Sequence, residues 1–171
     1  MNIVKPTIDS LSEYYKSYFD YVPETEMMKA LIEQKELTEV YLKSIPVEKE
    51  SFRYADEKWM LKEVVGHLCD TERILSYRAL RFSRNDSTEL SAFSENDYVP
   101  NSNHAQINLE ALIAEKSAIR NSTIMLFKNM NNKMIDRTGN ANKISVSVQS
   151  ILFFIIAHER HHLKVIKEKY I

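Results

Sequence analysis

Near its C-terminal end the chain runs Ile151-Leu152-Phe153-Phe154-Ile155-Ile156-Ala157 into His158-Glu159-Arg160-His161-His162 and on to Leu163-Lys164-Val165-Ile166. The whole stretch reads as one helix. At ~100° per residue, Ile151, Phe154, Ile155, His158, His162 and Val165 fall on a single stripe. His158 and His162 are one turn apart and sit in the middle of the face that must be buried. His161 falls at the edge of that stripe, and Arg160, Lys164 and Lys167 take the opposite face. Buried imidazoles need partners. A divalent metal suits the i, i+4 spacing, and so does a buried carboxylate flanked by the two rings.

The same letters spell His-Glu-x-x-His, with which zinc proteases bind metal through both histidines and use the glutamate as general base. That reading lacks a third ligand, because only nine residues follow His162. The extended form of the motif needs glycine and histidine where this chain has Val165 and Glu168. A third ligand must come from upstream.

Two glycines and four prolines in 171 residues argue against a sheet with many tight turns and for long helices joined by few loops. With 44% hydrophobic residues the chain is long enough for one well-buried domain, covering 1–171, and short for two. A net charge of −1 gives no electrostatic reason to expect nucleic acid or an anionic membrane surface as partner. The single cysteine, Cys69, excludes an internal disulfide and fits a reducing cytoplasm. The first residues carry no apolar segment of the signal-peptide kind, and the longest apolar run, seven residues, is far below the ~20 needed to span a bilayer. The expectation is a cytoplasmic, all-α protein.

The tyrosine-rich segment Tyr14 to Tyr21 reads as a short helix or turn covering one end of the fold. A first long helix is expected from Glu24, stopped by Pro46, with Met27, Met28, Leu31, Ile32, Leu37, Val40 and Leu42 as its apolar face. Residues 47–58 read as a charged loop. A second helix is expected from Trp59 to Arg84, with Met60, Val64, His67, Thr71, Ile74, Leu75, Arg78 and Phe82 on one stripe. His67 is centred there, beside Gly66, where a missing side chain admits close approach of a helix or a ligand. Glycine in a helix interior costs ~1 kcal/mol relative to alanine, which implies a packing or site reason. Residues 85–104 form a long polar connection, of the kind that is often functional or mobile. A third helix is expected from Gln106 to Met130, with Ile107, Leu109, Leu112, Ile113, Ile119, Thr123, Leu126 and Met130 as its apolar or nearly apolar positions. After a link over 131–143, a fourth helix is expected from Ser145.

Four helices with a long connection between the second and third predict a four-helix bundle, whose interior can hold a metal site built from facing helices. His67 with His158 and His162 makes a three-histidine face with an open fourth position, the arrangement of catalytic zinc sites. A lone histidine on an apolar face, as His67 is on its own helix, is more often a satisfied core residue than a ligand, and the His158/His162 pair reads equally as flanking a buried carboxylate. Arg78 either holds an anionic substrate group or pairs with an acid such as Glu63. Glu159, ~60° from the centre of the histidine face, either reaches the site or is solvated. His161 reads as a neighbour of the site or a surface residue, His104 as a loop residue and Cys69 as small packing. A ferritin-like di-iron centre needs Glu-x-x-His on two helices. Glu159-x-x-His162 supplies one copy, but Glu63-x-x-x-His67 has the wrong spacing.

The run Trp59-Met60-Leu61-Lys62-Glu63-Val64-Val65-Gly66-His67-Leu68-Cys69-Asp70-Thr71-Glu72-Arg73 resembles a characteristic segment of DinB-like proteins. The resemblance continues through Tyr77 to Asp86, Phe93 to Val99 and Ile156 to Leu163, and covers nearly the whole chain. It implies a DinB/YfiT-type four-helix bundle, often a homodimer, with a divalent metal held by His67, His158 and His162. The family usually has glycine where this chain has Ala157, a difference of one methyl group. Members bind nickel, zinc or iron. Some use low-molecular-weight thiols for conjugation or isomerisation, and others are described as metal-dependent hydrolases or damage-inducible proteins. The resemblance thus implies a metal-dependent hydrolase or thiol-dependent S-transferase acting on a small molecule. The alternative is a non-catalytic, stress-associated dimer in which metal only stabilises the bundle. Leu152, Ile156, Leu163 and Tyr170 form a second apolar stripe on the last helix, which suits either a dimer contact or a covered core helix.

Overall fold

The computed structural model describes residues 2–171. In chain order these form α1 (Glu13–Lys16), α2 (Met27–Lys43), α3 (Leu61–Ser83), α4 (Glu95–Asn101), α5 (Leu109–Lys128), α6 (Asn132–Ile135), β1 (Thr138–Ala141), β2 (Ile144–Ser147) and α7 (Val148–Lys169). Three of the four long helices, α3, α5 and α7, begin at side chains that satisfy free backbone N–H groups. The Glu63 carboxylate accepts from the Met60 N–H at 2.7 Å to start α3, Asn108 accepts from the Ala111 N–H at 2.8 Å to start α5, and Ser147 accepts from the Ser150 N–H at 3.0 Å to start α7.

The bundle consists of α2, α3, α5 and α7. α3 packs on α5 and α7, and α2 packs on the same two helices, so the consecutive long helices α2 and α3 stand at opposite corners. Its interior is layered. One apolar cluster joins Met27 and Leu31 of α2, Leu75 and Phe82 of α3, Phe127 of α5 and the run Ile151 to Ala157 of α7. A second joins Leu42, Leu61, Val64, Leu112 and Ile166. Between them each long helix turns polar at one level: Gln34 and Thr38, His67 and Glu72, Lys116 and Arg120, His158 and Glu159, all buried.

Several elements differ from the sequence expectation. α2 starts at Met27 rather than Glu24, and its expected apolar residues Leu37 and Val40 are 69% and 70% exposed. Gln34 and Thr38 are buried instead, because each finds a hydrogen-bond acceptor on α7, the Ile156 carbonyl and the Glu159 carboxylate. The 85–104 connection is interrupted by α4, which Ser94 caps through the Asp97 N–H at 3.3 Å. The 131–143 link holds α6 and leads into an antiparallel hairpin, β1 to β2. Its two turn residues, Asn142 and Lys143, have φ of 54° and 61°, as the tight turn that matches strand twist requires. Gly139 lets this hairpin lie on α3, since a Cβ there would stand 2.0 Å from the Phe82 ring. The stripe of Leu152, Ile156 and Tyr170 is buried within its own chain, with Leu163 partly covered, so it offers no face to a second subunit. Among the described residues, no helix is long and apolar enough to cross a membrane.

Candidate metal centre

α3 and α7 are neighbours, and their histidines meet between the two apolar clusters. His67 Nε2 lies 3.3 Å from His158 Nε2, and His162 Nε2 lies 3.1 Å from the same atom. Ligand atoms of the three rings are all within 4.8 Å of one another. His67 and His158 are buried, and His162 is partly so. Burial pushes the pKa of His67 down to about 4, and burial together with the neighbouring His67 and His161 pushes His162 down to about 3. Burial and the surrounding rings hold His158 well below its ordinary range. The rings are therefore neutral at pH 7, with lone-pair nitrogens converging on one point. That is the donor set a borderline divalent cation takes, and without one the three nitrogens have only each other as partners. On the far side of His67, Thr71 Oγ1 lies 3.4 Å from Nδ1, in position to accept the ring proton and leave Nε2 free.

The cluster opens on a cavity of about 560 Å³, within the usual size of ligand pockets. Its walls come from segments far apart in sequence: Tyr15 and Tyr18, Trp59 before α3, Arg78, Phe93 in the connection and Val146 of the hairpin. Tyr15 stacks on Phe154 at 4.1 Å between ring centroids. The tyrosine-rich segment thus lies along α7 beside the histidines.

Arg78 shares the cavity with the three histidines. Its alternative partner, Glu63, is four turns away on α3, ~22 Å along the axis, and is bound instead by Arg53 at 3.0 Å. Glu159 is neither at the site nor in solvent. It points to an adjacent side of α7, toward α5 and α2, where Lys116 donates to it at 2.5 Å, Thr38 donates at 2.6 Å, and Arg120 also donates to it. Glu72 completes the group, accepting from Lys116 at 2.6 Å and from Arg120 at 2.8 and 2.9 Å. Burial raises the pKa of both carboxylates, but the facing cations more than offset it and hold both below the ordinary value. The expectation of a solvated Glu159 failed because its partners lie on α5 and α2, out of reach of a single-helix wheel. One signal was legible: Lys116 and Arg120 interrupt the apolar face of α5 one turn apart, as His158 and His162 do on α7.

His161 lines the cavity, but its Nδ1 is 3.0 Å from the Tyr21 hydroxyl and it stays outside the trio. His104 is buried in a 3₁₀ turn whose ring rests on Gly66, where a Cβ would come within 2.2 Å of it. The glycine therefore serves close packing of this ring. Cys69 faces α5, with Sγ 3.9 Å from the Leu112 carbonyl, and burial raises its thiol to about 12.

The sequence matches the profile of the DinB superfamily over residues 30–166. Among curated protein sequences nothing matches significantly. Three solved structures share the fold. YfiT from Bacillus subtilis, described as "a probable metal-dependent hydrolase with an unusual four-helix bundle topology", is 16% identical, with a TM-score of 0.70 over 96% of this chain and 90% of that one. The DinB-like protein YjoA from Bacillus subtilis is 14% identical, with a TM-score of 0.60 over 82% and 86%. A mycothiol-dependent maleylpyruvate isomerase is 11% identical, with a TM-score of 0.65 over 92% of this chain but 62% of its own length. With a profile match over most of its length and a bundle shared with these structures, the chain belongs to the DinB superfamily.

Proposed function

We propose that this protein is a metal-dependent enzyme in which His67, His158 and His162 hold a divalent cation (zinc, nickel or iron) through their Nε2 atoms. The observation that carries the reading is the convergence of three neutral imidazoles at the head of a cavity large enough for a small-molecule substrate. Three protein ligands beside an open cavity are the pattern of catalytic sites, whereas four closing ligands mark structural ones. That contrast favours an enzyme over a metal that only stabilises the bundle.

The bound cation supplies Lewis acidity at the inner end of the cavity. The chain's own residues do the rest. Thr71 holds the His67 tautomer that leaves Nε2 free, and Trp59, with its ring 5.0 Å from that of His67, limits what lies beside the ligands. Cys69 faces away and stays protonated, so it is not the nucleophile. The attacking group is then water or a low-molecular-weight thiol, which corresponds to a hydrolase or a thiol-dependent S-transferase. The description of YfiT supports the hydrolase alternative, and that of the isomerase supports the use of a thiol.

The test is elemental analysis of untagged native protein beside His67→Ala, His158→Ala, His162→Ala and His161→Ala. Near-stoichiometric metal in the native protein and in His161→Ala, with little in the other three, is expected. No metal in any of them, even after reconstitution with zinc or nickel, overturns the reading.

A further inference from the structure

The cavity has a second polar end. Three arginines lie on α3, and two of them have acidic partners: Arg73 with Glu115 at 2.5 Å, and Arg81 with Asp86. Arg78, the one that lines the cavity, has no carboxylate within salt-bridge distance among the described residues. Among the described residues its sole hydrogen bond runs from Nη2 to the Ser91 carbonyl at 2.8 Å, and its Nε is enclosed without a partner. The Phe93 ring, 5.9 Å from Cζ, packs beside the guanidinium. A half-buried guanidinium held in place, with donors left facing the cavity, is preorganised to take an anion there.

We infer that Arg78 is the anion-binding residue of this cavity, and that the substrate is a small molecule whose reacting group lies at the histidines and whose far end carries a carboxylate. The position of the reacting group rests on the metal-enzyme reading; the anion subsite does not. Eleven residues separate His67 from Arg78 on α3, ~16 Å of helix rise, and arginine side chains lean back toward the helix start. The two ends are thus on the order of 10 Å apart, a chain of several carbons. The lining favours a monoanion. Arg78 is its single arginine or lysine, so one cation matches one carboxylate and leaves the second charge of a dianion such as a phosphate monoester without a partner. The aromatic stretch between, Tyr15, Tyr18 and Phe154, suits an apolar spacer.

Trp59, the only tryptophan, lines the cavity and provides a readout that needs neither metal nor turnover. Metal-free protein is titrated with hexanoate and with hexanol while its fluorescence is followed, and cobalt-loaded protein is titrated with ω-mercaptohexanoate and ω-mercaptohexanol while the visible bands are followed. The acid is expected to bind roughly tenfold or more tightly than the alcohol, as one charge-assisted contact implies, and Arg78→Ala should remove that preference without weakening the alcohol. Arg78→Gln, which keeps a donor for the Ser91 carbonyl, guards against a collapsed connection and should lose the preference as well. Equal binding of acid and alcohol in both forms, or equal loss of both in the variants, overturns the anion subsite while leaving the metal reading intact. Failure to load cobalt, with hexanoate still dependent on Arg78, overturns the metal reading and leaves the subsite standing.

Discussion

Replacing Lys116 by methionine keeps the stem of the side chain and deletes one buried positive charge. In the native protein Lys116 and Arg120 face Glu72 and Glu159, all four side chains are 1–6% exposed, and the group is neutral as a whole. Lys116→Met leaves one negative charge uncompensated in the middle of the bundle. Breaking a buried pair from one side costs roughly 3–5 kcal/mol. An independent bound agrees. The variant can relieve the charge by protonating one carboxylate, and at pH 7 that costs about 3.4 kcal/mol for a group of ordinary pKa 4.5. Glu159→Gln leaves the opposite imbalance and a loss of similar size. In the double variant the Arg120–Glu72 pair remains, with contacts at 2.8 and 2.9 Å, and the site is neutral again. Its cost is expected to fall at least 2 kcal/mol short of the sum of the singles, by roughly the energy of one uncompensated charge. Urea unfolding of the metal-free proteins at pH 7 measures this, provided the slopes match. In thermal melts each single variant should lose roughly 6–20 °C for a chain of this length. Single losses below about 1 kcal/mol that simply add would refute the description of the four residues as one compensated unit.

Four further outcomes follow from particular contacts. Gly66→Ala drives a methyl group into the His104 ring and should cost about 1–3 kcal/mol, much of it regained by adding His104→Ala, as read by the shift in urea midpoint. Thr71→Val removes the acceptor beside His67 Nδ1 and should weaken metal binding about tenfold in a competitive chelator titration. Tyr170→Phe breaks the bond from its hydroxyl to the Trp59 carbonyl at 2.8 Å and should cost about 1 kcal/mol, with a change in Trp59 fluorescence. Acid should destabilise the metal-free protein in two windows. His67 and His162 are depressed to about 4 and about 3 from an ordinary 6.5, so the unfolded chain binds protons that the folded one refuses, and stability falls as pH drops below 6.5. Glu72 and Glu159, held below 4.5, contribute stability present above that value and lost as pH falls through their depressed folded pKa values. Urea midpoints across pH measure both, and His67→Ala should flatten the upper window; a level profile between pH 7 and 5 would contradict the neutral buried rings.

The bundle and the histidine trio were legible because both depend on periodicity within single helices. His158 and His162 lie on the apolar stripe of α7, and His67 lies on that of α3, whatever surrounds them. The segment around Gly66-His67 added a family pattern, and the glycine proved to have a packing reason. Less was legible in α2, where Leu37 and Val40 are exposed and Gln34 and Thr38 buried, because α2 has little periodic contrast and its inner face is chosen by acceptors on α7. The hairpin was missed because Asn142-Lys143 adopts its turn without the glycine that usually marks one.

By itself the sequence determined the long helices to within a few residues and the three histidines that face inward, since local sterics and apolar spacing act within one element. Tertiary structure decided which helices are neighbours, and with that everything that needs two elements. It set α3 against α7 so that three Nε2 atoms meet, and turned Glu159 toward Lys116 and Arg120 instead of solvent. It also brought tyrosines, hairpin and connection together as the walls of one cavity, with Arg78 among them, bonded to the Ser91 carbonyl. Burial and charge compensation are properties of the packed assembly, and no wheel drawn on one helix contains them.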